Sequence, residues 1–535
     1  FKTSSDTEVI LQAYKAWGKE AIHKFIGMFT FAIYDEQEEE LFLCRDRAGV
    51  KPLFYYKKDG IFIFASELKA FHQHPSFEKD IDVDSLCSFF DYGYVSSPYC
   101  IFQNTYKLEP GNYLKLNLKT DESKIFEYWN SDTFYTMPKK LISYDDAKSE
   151  LHSLLKSAYN YRMVSDVPVG VFLSGGYDST SVAAILQDLS KEKIKTFTIG
   201  FEEGNNEAPF AKENASFLGT DHHEYYCTEV EAKKIIKDLP YYYDEPFGDS
   251  SAIPTTLVSQ FAKEEVTVAL SADGGDELFC GYKSYPKADI RNRKINQIPK
   301  FIRPTLKKSL SIGAEMIPHN KHQLKHKITS FSECLSKNEF EIAKKIFHKS
   351  RQLPKHIKIR FIKEQISELN TPFNDKNNIY HSIVEMLMAL DFKTYLPNDI
   401  LTKVDRATMS VSLEGREPLL DHRILEFAAQ LPLEFKYDGI TTKKILKDIT
   451  HEYIPEEMMN RPKTGFSLPI TKWLREDLNY LINEYLSEKA LADSGLFDEK
   501  YLSKQIELFK DGKFHYVQFI WKLLMFQMWY KKWIN

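Results

Sequence analysis

The stretch VFLSGGYDST, residues 171–180, decides the fold. An apolar run, Val171-Phe172-Leu173, stops at Ser174-Gly175-Gly176, and a helical pattern begins just past Asp178. Strand, glycine turn and helix in that order form the repeating unit of a parallel α/β sheet. Two glycines let the backbone turn tightly, so that successive N–H groups face one anion. The helix N-terminus behind them adds partial positive charge, and Ser174, Ser179 and Thr180 offer hydroxyl donors. The stretch therefore reads as a phosphate cradle. It is not of the Walker type, because no Gly-Lys-Ser/Thr closes it.

A second stretch, VALSADGGDELFCGY at 268–282, repeats the construction. Its strand, 267–270, runs into Ser271-Ala272-Asp273-Gly274-Gly275-Asp276-Glu277. Taken alone, an Asp-Gly-Gly run is usually a polar turn whose acids face water. Two such loops at strand ends of one sheet would instead face each other across the ligand crevice. Phosphates on one side and carboxylates on the other call for a divalent cation, and Mg²⁺ held by Asp178 and Asp276 is the expected arrangement. A further apolar strand at 196–201 and helices at 145–161 and 181–189 predict a doubly wound parallel sheet. Residues 287–389 are charged and helix-like, with no legible chemistry.

Ahead of residue 145 the pattern differs. Segments 28–34, 40–44, 53–56, 61–65 and 113–118 are rich in β-branched and aromatic residues and punctuated by Gly49, Pro52, Gly60, Pro110 and Gly111. A helix over 6–17 places Val9, Ile10, Ala13 and Tyr14 on one face. This is an α+β arrangement without alternation. Residues 130–140, with Ser131, Asp132, Thr136 and Pro138, read as a linker. The expected division is an α+β domain at 1–129, a linker at 130–144 and an α/β domain with helical additions at 145–535.

Composition narrows the function classes. Lys+Arg 71 against Asp+Glu 76 leaves a net charge of -5, which gives no basic field for nucleic acid. No run reaches the ~20 uninterrupted apolar residues that cross a bilayer. The richest, 514–535, is interrupted by Lys522 and reads as a C-terminal helix packed on a core. Six scattered cysteines, none in a C-x-x-C pair, fit a reducing cytosol, so a cytoplasmic location is expected.

These loops also carry a resemblance. SGGYDS resembles the loop of enzymes that cleave ATP between the α- and β-phosphates. DEPFGDSSAIPT (244–255), LSADGGDE (270–277), LTKVDRATM (401–409), PLLDHR (418–423) and RPKTGFSLPI (461–470) are similar to the synthetase domain of glutamine-dependent asparagine synthetases. SDTEVILQAY, GMFTFAIYD, RDRAGVKPLFYY and ASELKAF resemble the second half of that family's glutaminase domain, a sandwich with an N-terminal nucleophile. The resemblance implies ATP-dependent amidation of aspartate through aspartyl-AMP, giving asparagine, AMP and pyrophosphate, with ammonia drawn from glutamine. It implies that 174–179, with Ser174, Gly175, Gly176, Asp178 and Ser179, hold the departing pyrophosphate. Leu173, Ile199, Ser271 and Ala272 match nucleotide-lining positions. Asp273 matches the acid used around the acyl-adenylate and ammonia steps, and Lys443 matches a lysine that neutralises the pentavalent phosphorus. Asp6 matches the carboxylate that holds the glutamine α-amino group. The family often forms homodimers.

Departures are Ala272 for a usual glycine, Gly415 and Glu417 for alanine and an apolar residue, and Asp273, one methylene shorter than the glutamate of some members though aspartate occurs in others. Residue 1 is Phe, where the family's glutaminase begins with its nucleophilic cysteine, and FKTSSDTEV reads as the middle of a domain. Residues 1–535 by themselves are therefore expected to make amide from ammonium but not from glutamine, whose use requires that cysteine ahead of them. Two alternatives remain open: a relative that amidates another carboxylate, such as a sugar acid in polysaccharide synthesis, and an inactive binding subunit.

Overall fold

In the first 129 residues, alternation along single strands builds two packed antiparallel sheets. The computed structural model describes residues 1–201, 206–317, 322–349, 380–460, 468–513 and 517–534. Its first strands are β1 (Thr30–Asp35), β2 (Glu40–Arg45), β3 (Phe54–Lys58), β4 (Ile61–Ala65), β5 (Thr105–Lys107), β6 (Asn112–Asn117) and β7 (Ser123–Glu127). They pair in the orders β1-β2-β6-β7 and β4-β3-β5. On β2, Phe42 and Cys44 join Ile22, Ile33 and Tyr113 on one face, against Ile10 and Tyr14 of helix Asp6–Trp17. Leu43, between them, points the other way and packs with Leu53, Tyr55 and Leu114. A strand buried on both faces lies in the middle of a layered stack, so Cys44 is a core thiol that burial pushes well above its usual range.

The rear half contains β8 (Val169–Phe172), β9 (Lys195–Phe201), β10 (Asp221–Cys227), β11 (Val268–Leu270) and β12 (Glu414–Arg416). All pair in parallel, in the order β10-β9-β8-β11-β12. The α+β plus α/β reading therefore holds, with additions. Two strands of this sheet were not anticipated. β10, DHHEYYC, lies at the sheet edge and is polar because one side faces solvent. β12 is only Glu-Gly-Arg, too short and polar for a strand pattern. Helix Val83–Tyr92 and strands β5 and β7 were likewise not foreseen.

The stretch expected as a linker is partly packed structure. Asn130 caps helix Ser131–Thr136 by accepting the Asp132 N–H at 2.9 Å, and Tyr135 is fully buried. Tyr380 Oη (2.9 Å) and Lys393 Nζ (2.6 Å) both donate to Asp132. Its two aromatic residues, Phe134 and Tyr135, give the segment enough apolar surface to dock. The described parts of 287–389 are helical, as expected. The C-terminal helix Val517–Trp533 packs as anticipated, with Trp521 and Trp529 buried and their indole N–H groups donating to the carbonyls of Gly248 (2.9 Å) and Asp244 (2.7 Å). Among the described residues no helix is long and apolar enough to cross a membrane. Most of the 461–470 motif lies outside the described residues.

Candidate active site

Beyond the carboxyl ends of β8, β9 and β11 lies a cavity of about 420 Å³. Leu173, Ser174, Gly175, Gly176, Asp178, Ser179, Ile199, Ser271, Ala272, Asp273 and Lys443 all line it. A parallel sheet exposes its strand ends on one edge, so residues up to 270 positions apart meet there. Asp276 completes the cluster through Lys443, as described below. Asp6 is elsewhere, exposed in the first turn of its helix.

The first loop supports itself. Gly175 adopts φ +73°, a left-handed conformation that favours glycine, and Gly176 precedes helix Tyr177–Leu189. Ser179 Oγ accepts the Ser174 N–H at 3.2 Å, meets Ser174 Oγ at 3.0 Å, and donates to the Gly176 carbonyl at 3.2 Å. Asn214 ties the loop to the next layer by donating to the Gly175 carbonyl (3.3 Å) and to Thr180 Oγ1 (3.1 Å). The helix starts a turn earlier than its apolar pattern, which places Asp178 in the first turn, where the helix dipole favours a carboxylate.

The second loop is held from outside. Gly274 adopts φ +96° and leads into helix Gly275–Phe279. Asp178 and Asp276 both pair with the ammonium of Lys443, a residue that is 6% exposed. Burial pulls this ammonium down, but the two carboxylates outweigh it and hold it above the ordinary lysine range. Lys443 is not a solvated helix lysine. It stands at φ +55° ahead of helix Lys444–Thr450, with its N–H donating to the Phe279 carbonyl at 3.0 Å. Glycine is required around it: a Cβ at Gly275 would lie 2.4 Å from Asp178 Oδ1, and one at Gly281 would lie 1.9 Å from Asp276 Oδ1. Glu277, the third acid of the loop, turns into the core, accepts from Tyr282 Oη at 2.7 Å, and is pushed up to about 8 by burial and by Asp276.

Asp273 faces the cavity between opposite influences. Burial raises its carboxyl above the ordinary range, while the Ser271 hydroxyl (2.5 Å) and the Lys403 charge oppose the rise. Its N–H donates to Glu417 Oε2 at 3.2 Å. Glu417 is 1% exposed, and burial with Asp273 beside it pushes its carboxyl well above the usual carboxylate range. Lys403 Nζ donates to Asp249 Oδ2 (3.0 Å) and Ser251 Oγ (2.9 Å). Lys403, Asp249, Ser251 and Glu417 had no role read from sequence, although the first three lie within quoted motifs and Glu417 stands out there as a departure from the family. Pairing between segments some 150 residues apart leaves no local signal. Lys447 also lines the cavity, half-buried, and burial and the Lys443 charge pull it below the ordinary lysine range.

The cluster can hold a polyphosphate against backbone N–H groups, hydroxyls and ammonium groups. Among the described residues, no group of three or more His, Cys, Asp or Glu side chains could hold a metal ion. Asp178 and Asp276, which converge on the Lys443 ammonium, are the residues that could hold Mg²⁺, an ion that keeps waters and shares substrate phosphates instead of requiring an all-protein cage.

Comparison with known proteins gives a consistent result. The asparagine synthase family model matches residues 150–531, and the glutamine amidotransferase domain model matches 1–129. The chain is 31% identical to glutamine-hydrolyzing asparagine synthetase 1 of Bacillus subtilis, over 99% of this chain and 81% of that protein. It is 28% identical to glutamine-hydrolyzing asparagine synthetase 3 of the same organism, over 95% and 78%. More distantly, it is 25% identical to amidase chry2 of Gibberella zeae, over 93% and 78%.

Proposed function

The chain belongs to the asparagine synthase family, and from that premise we propose that it amidates the side chain of aspartate with ATP, ammonia coming from glutamine. A carboxylate is a poor electrophile: its charge repels nucleophiles and its leaving group would be oxide. Attack by the aspartate side chain on the α-phosphate replaces oxide with AMP as the leaving group and releases pyrophosphate. Ammonia then displaces AMP to leave asparagine.

In this reading the backbone and hydroxyls of 174–179 hold the departing pyrophosphate, and Leu173, Ile199, Ser271 and Ala272 flank the nucleoside. Lys443 neutralises charge that develops on the α-phosphate, a preorganised contact that gains strength in the transition state. Asp178 and Asp276 would hold Mg²⁺, which would offset phosphate charge when bound. Asp273, its carboxyl raised by burial, takes a proton from the attacking ammonia in this reading. Lys403, beside Asp273, is suited to the acceptor's carboxylate. The small-molecule substrates, a cytoplasmic setting and a homodimer complete the proposal.

The observation that carries it is the convergence of both glycine loops and Lys443 on one cavity. Aspartate labelled with ¹⁸O in its side chain provides the test, because adenylation transfers one label to AMP. Label in AMP supports the proposal, whereas label in inorganic phosphate would mean an acyl-phosphate route and would overturn it. Glu417, a buried acid behind Asp273 where the resemblance expects an apolar side chain, favours one second reading: another carboxylate as acceptor.

A further inference from the structure

The cations facing the cavity differ in how far their charge is already neutralised. Lys443 is paired with Asp178 and Asp276. Lys403 is paired with Asp249 at 3.0 Å. Lys447 lines the same cavity, yet among the described residues its ammonium has no ion pair and no hydrogen bond. It lies one helical turn beyond Lys443, its N–H donating to the Lys443 carbonyl at 2.8 Å, so both side chains emerge on one face. Its ammonium sits 5.0 Å over the ring of Tyr177, the residue directly after the Gly175-Gly176 turn. Tyr177 is in turn fixed by its hydroxyl, 3.2 Å from His451 Nε2. Nearby Asp448 is engaged by Lys444 at 3.1 Å. The result is a half-buried cation over the rim of the phosphate loop, without an ion pair among the described residues, on which the carboxylates of Glu456, Asp448 and Asp438 act only at longer range, too weakly to offset burial and the Lys443 charge.

We propose that Lys447 is a second phosphate-binding residue of this pocket, contacting the phosphates that leave as pyrophosphate. This rests on the reading of the pocket as an ATP site and extends it to a residue outside the recognised motifs. The two lysines then divide the work. Lys443, screened by two carboxylates, is coupled to the reacting phosphorus, whereas Lys447 contributes affinity for the terminal phosphates in ground state and transition state alike. Such uniform binding appears in KM and Kd and leaves kcat nearly unchanged.

Calorimetric titration with inorganic pyrophosphate and Mg²⁺, and separately with AMP, tests this on the parent protein, Lys447→Met and Lys447→Arg. Methionine keeps the apolar stem against Tyr177 and removes the charge, and arginine keeps the charge. The expected result is pyrophosphate affinity about tenfold weaker in Lys447→Met, within about threefold of the parent in Lys447→Arg, with AMP affinity unchanged in both. Unchanged pyrophosphate binding in Lys447→Met would overturn the inference, as would equal loss of AMP and pyrophosphate, which would mark a structural role. A parent protein that binds AMP but no pyrophosphate would overturn the underlying reading of the pocket as well.

Discussion

Loop 174–179 closes on itself, Ser174 and Ser179 bonding across the glycine turn, and only its Asp178 leans on Lys443, whereas loop 271–277 depends on lysines that arrive from residues 403 and 443. Both loops follow apolar strands, contain paired glycines and lead into helices. In the proposed reading one is a self-supporting anion cradle. The other is a set of carboxylates that the low-dielectric cavity tolerates only while cations face them. The difference shows how one strand–turn–helix device serves opposite charges: hydroxyls and N–H groups are provided locally, while counter-charges must come from elsewhere in the fold.

The largest effect is expected where the loops are tied together. Lys443→Ala should lower kcat for pyrophosphate release by about 10³-fold while raising KM for ATP far less, because the lost contact belongs to the transition state. Lys443→Arg should restore little, since a planar fork does not fit between two carboxylates that converge on a compact ammonium. Steady-state kinetics with circular dichroism as a fold check measures both.

Asp178→Asn and Asp276→Asn keep the shape and remove a charge from either side of the same contact. Each should lower adenylation about 10²-fold and make activity more demanding of Mg²⁺. A Mg²⁺ titration of pyrophosphate release is the check. Equal Mg²⁺ dependence in parent and variants would remove both residues from the metal site.

Ser179→Ala probes the self-supporting loop. The hydroxyl is almost buried and serves three local bonds, so its loss should cost about 1 kcal/mol in denaturant unfolding and weaken pyrophosphate binding several-fold, with kcat little changed. Lys444→Ala should do least. Its ammonium faces Asp448 at 3.1 Å and the Tyr144 ring at 3.8 Å, both on the partly exposed side of the helix, and stability should change by no more than about 0.5 kcal/mol.

The same contrast explains what could be read from sequence. The first loop was legible because its chemistry is contiguous: strand, two glycines, hydroxyls and helix start fall within ten residues. The second was legible only in outline. Asp276 could be named, but its engagement with Lys443 depends on a left-handed residue ahead of a short helix far along the chain. Glu417 read only as a departure from the family, because its contact with the Asp273 N–H arises from β11 and β12 lying side by side. Strand β10 escaped for a different reason: an edge strand of His, Glu and Tyr has no apolar run to mark it. The packed helix at Ser131–Thr136 was hidden by its turn-like composition, although Asn130 is a standard helix cap.

The most direct test of the central claim is ATP–pyrophosphate isotope exchange with aspartate present and ammonia absent, run on the parent, Lys443→Ala and Lys444→Ala. The account predicts aspartate-dependent exchange in the parent, near-parent exchange in Lys444→Ala, and exchange reduced by about 10³-fold in Lys443→Ala. Parent-level exchange in Lys443→Ala would contradict it, because the contact between the two loops would then play no part in cleaving ATP.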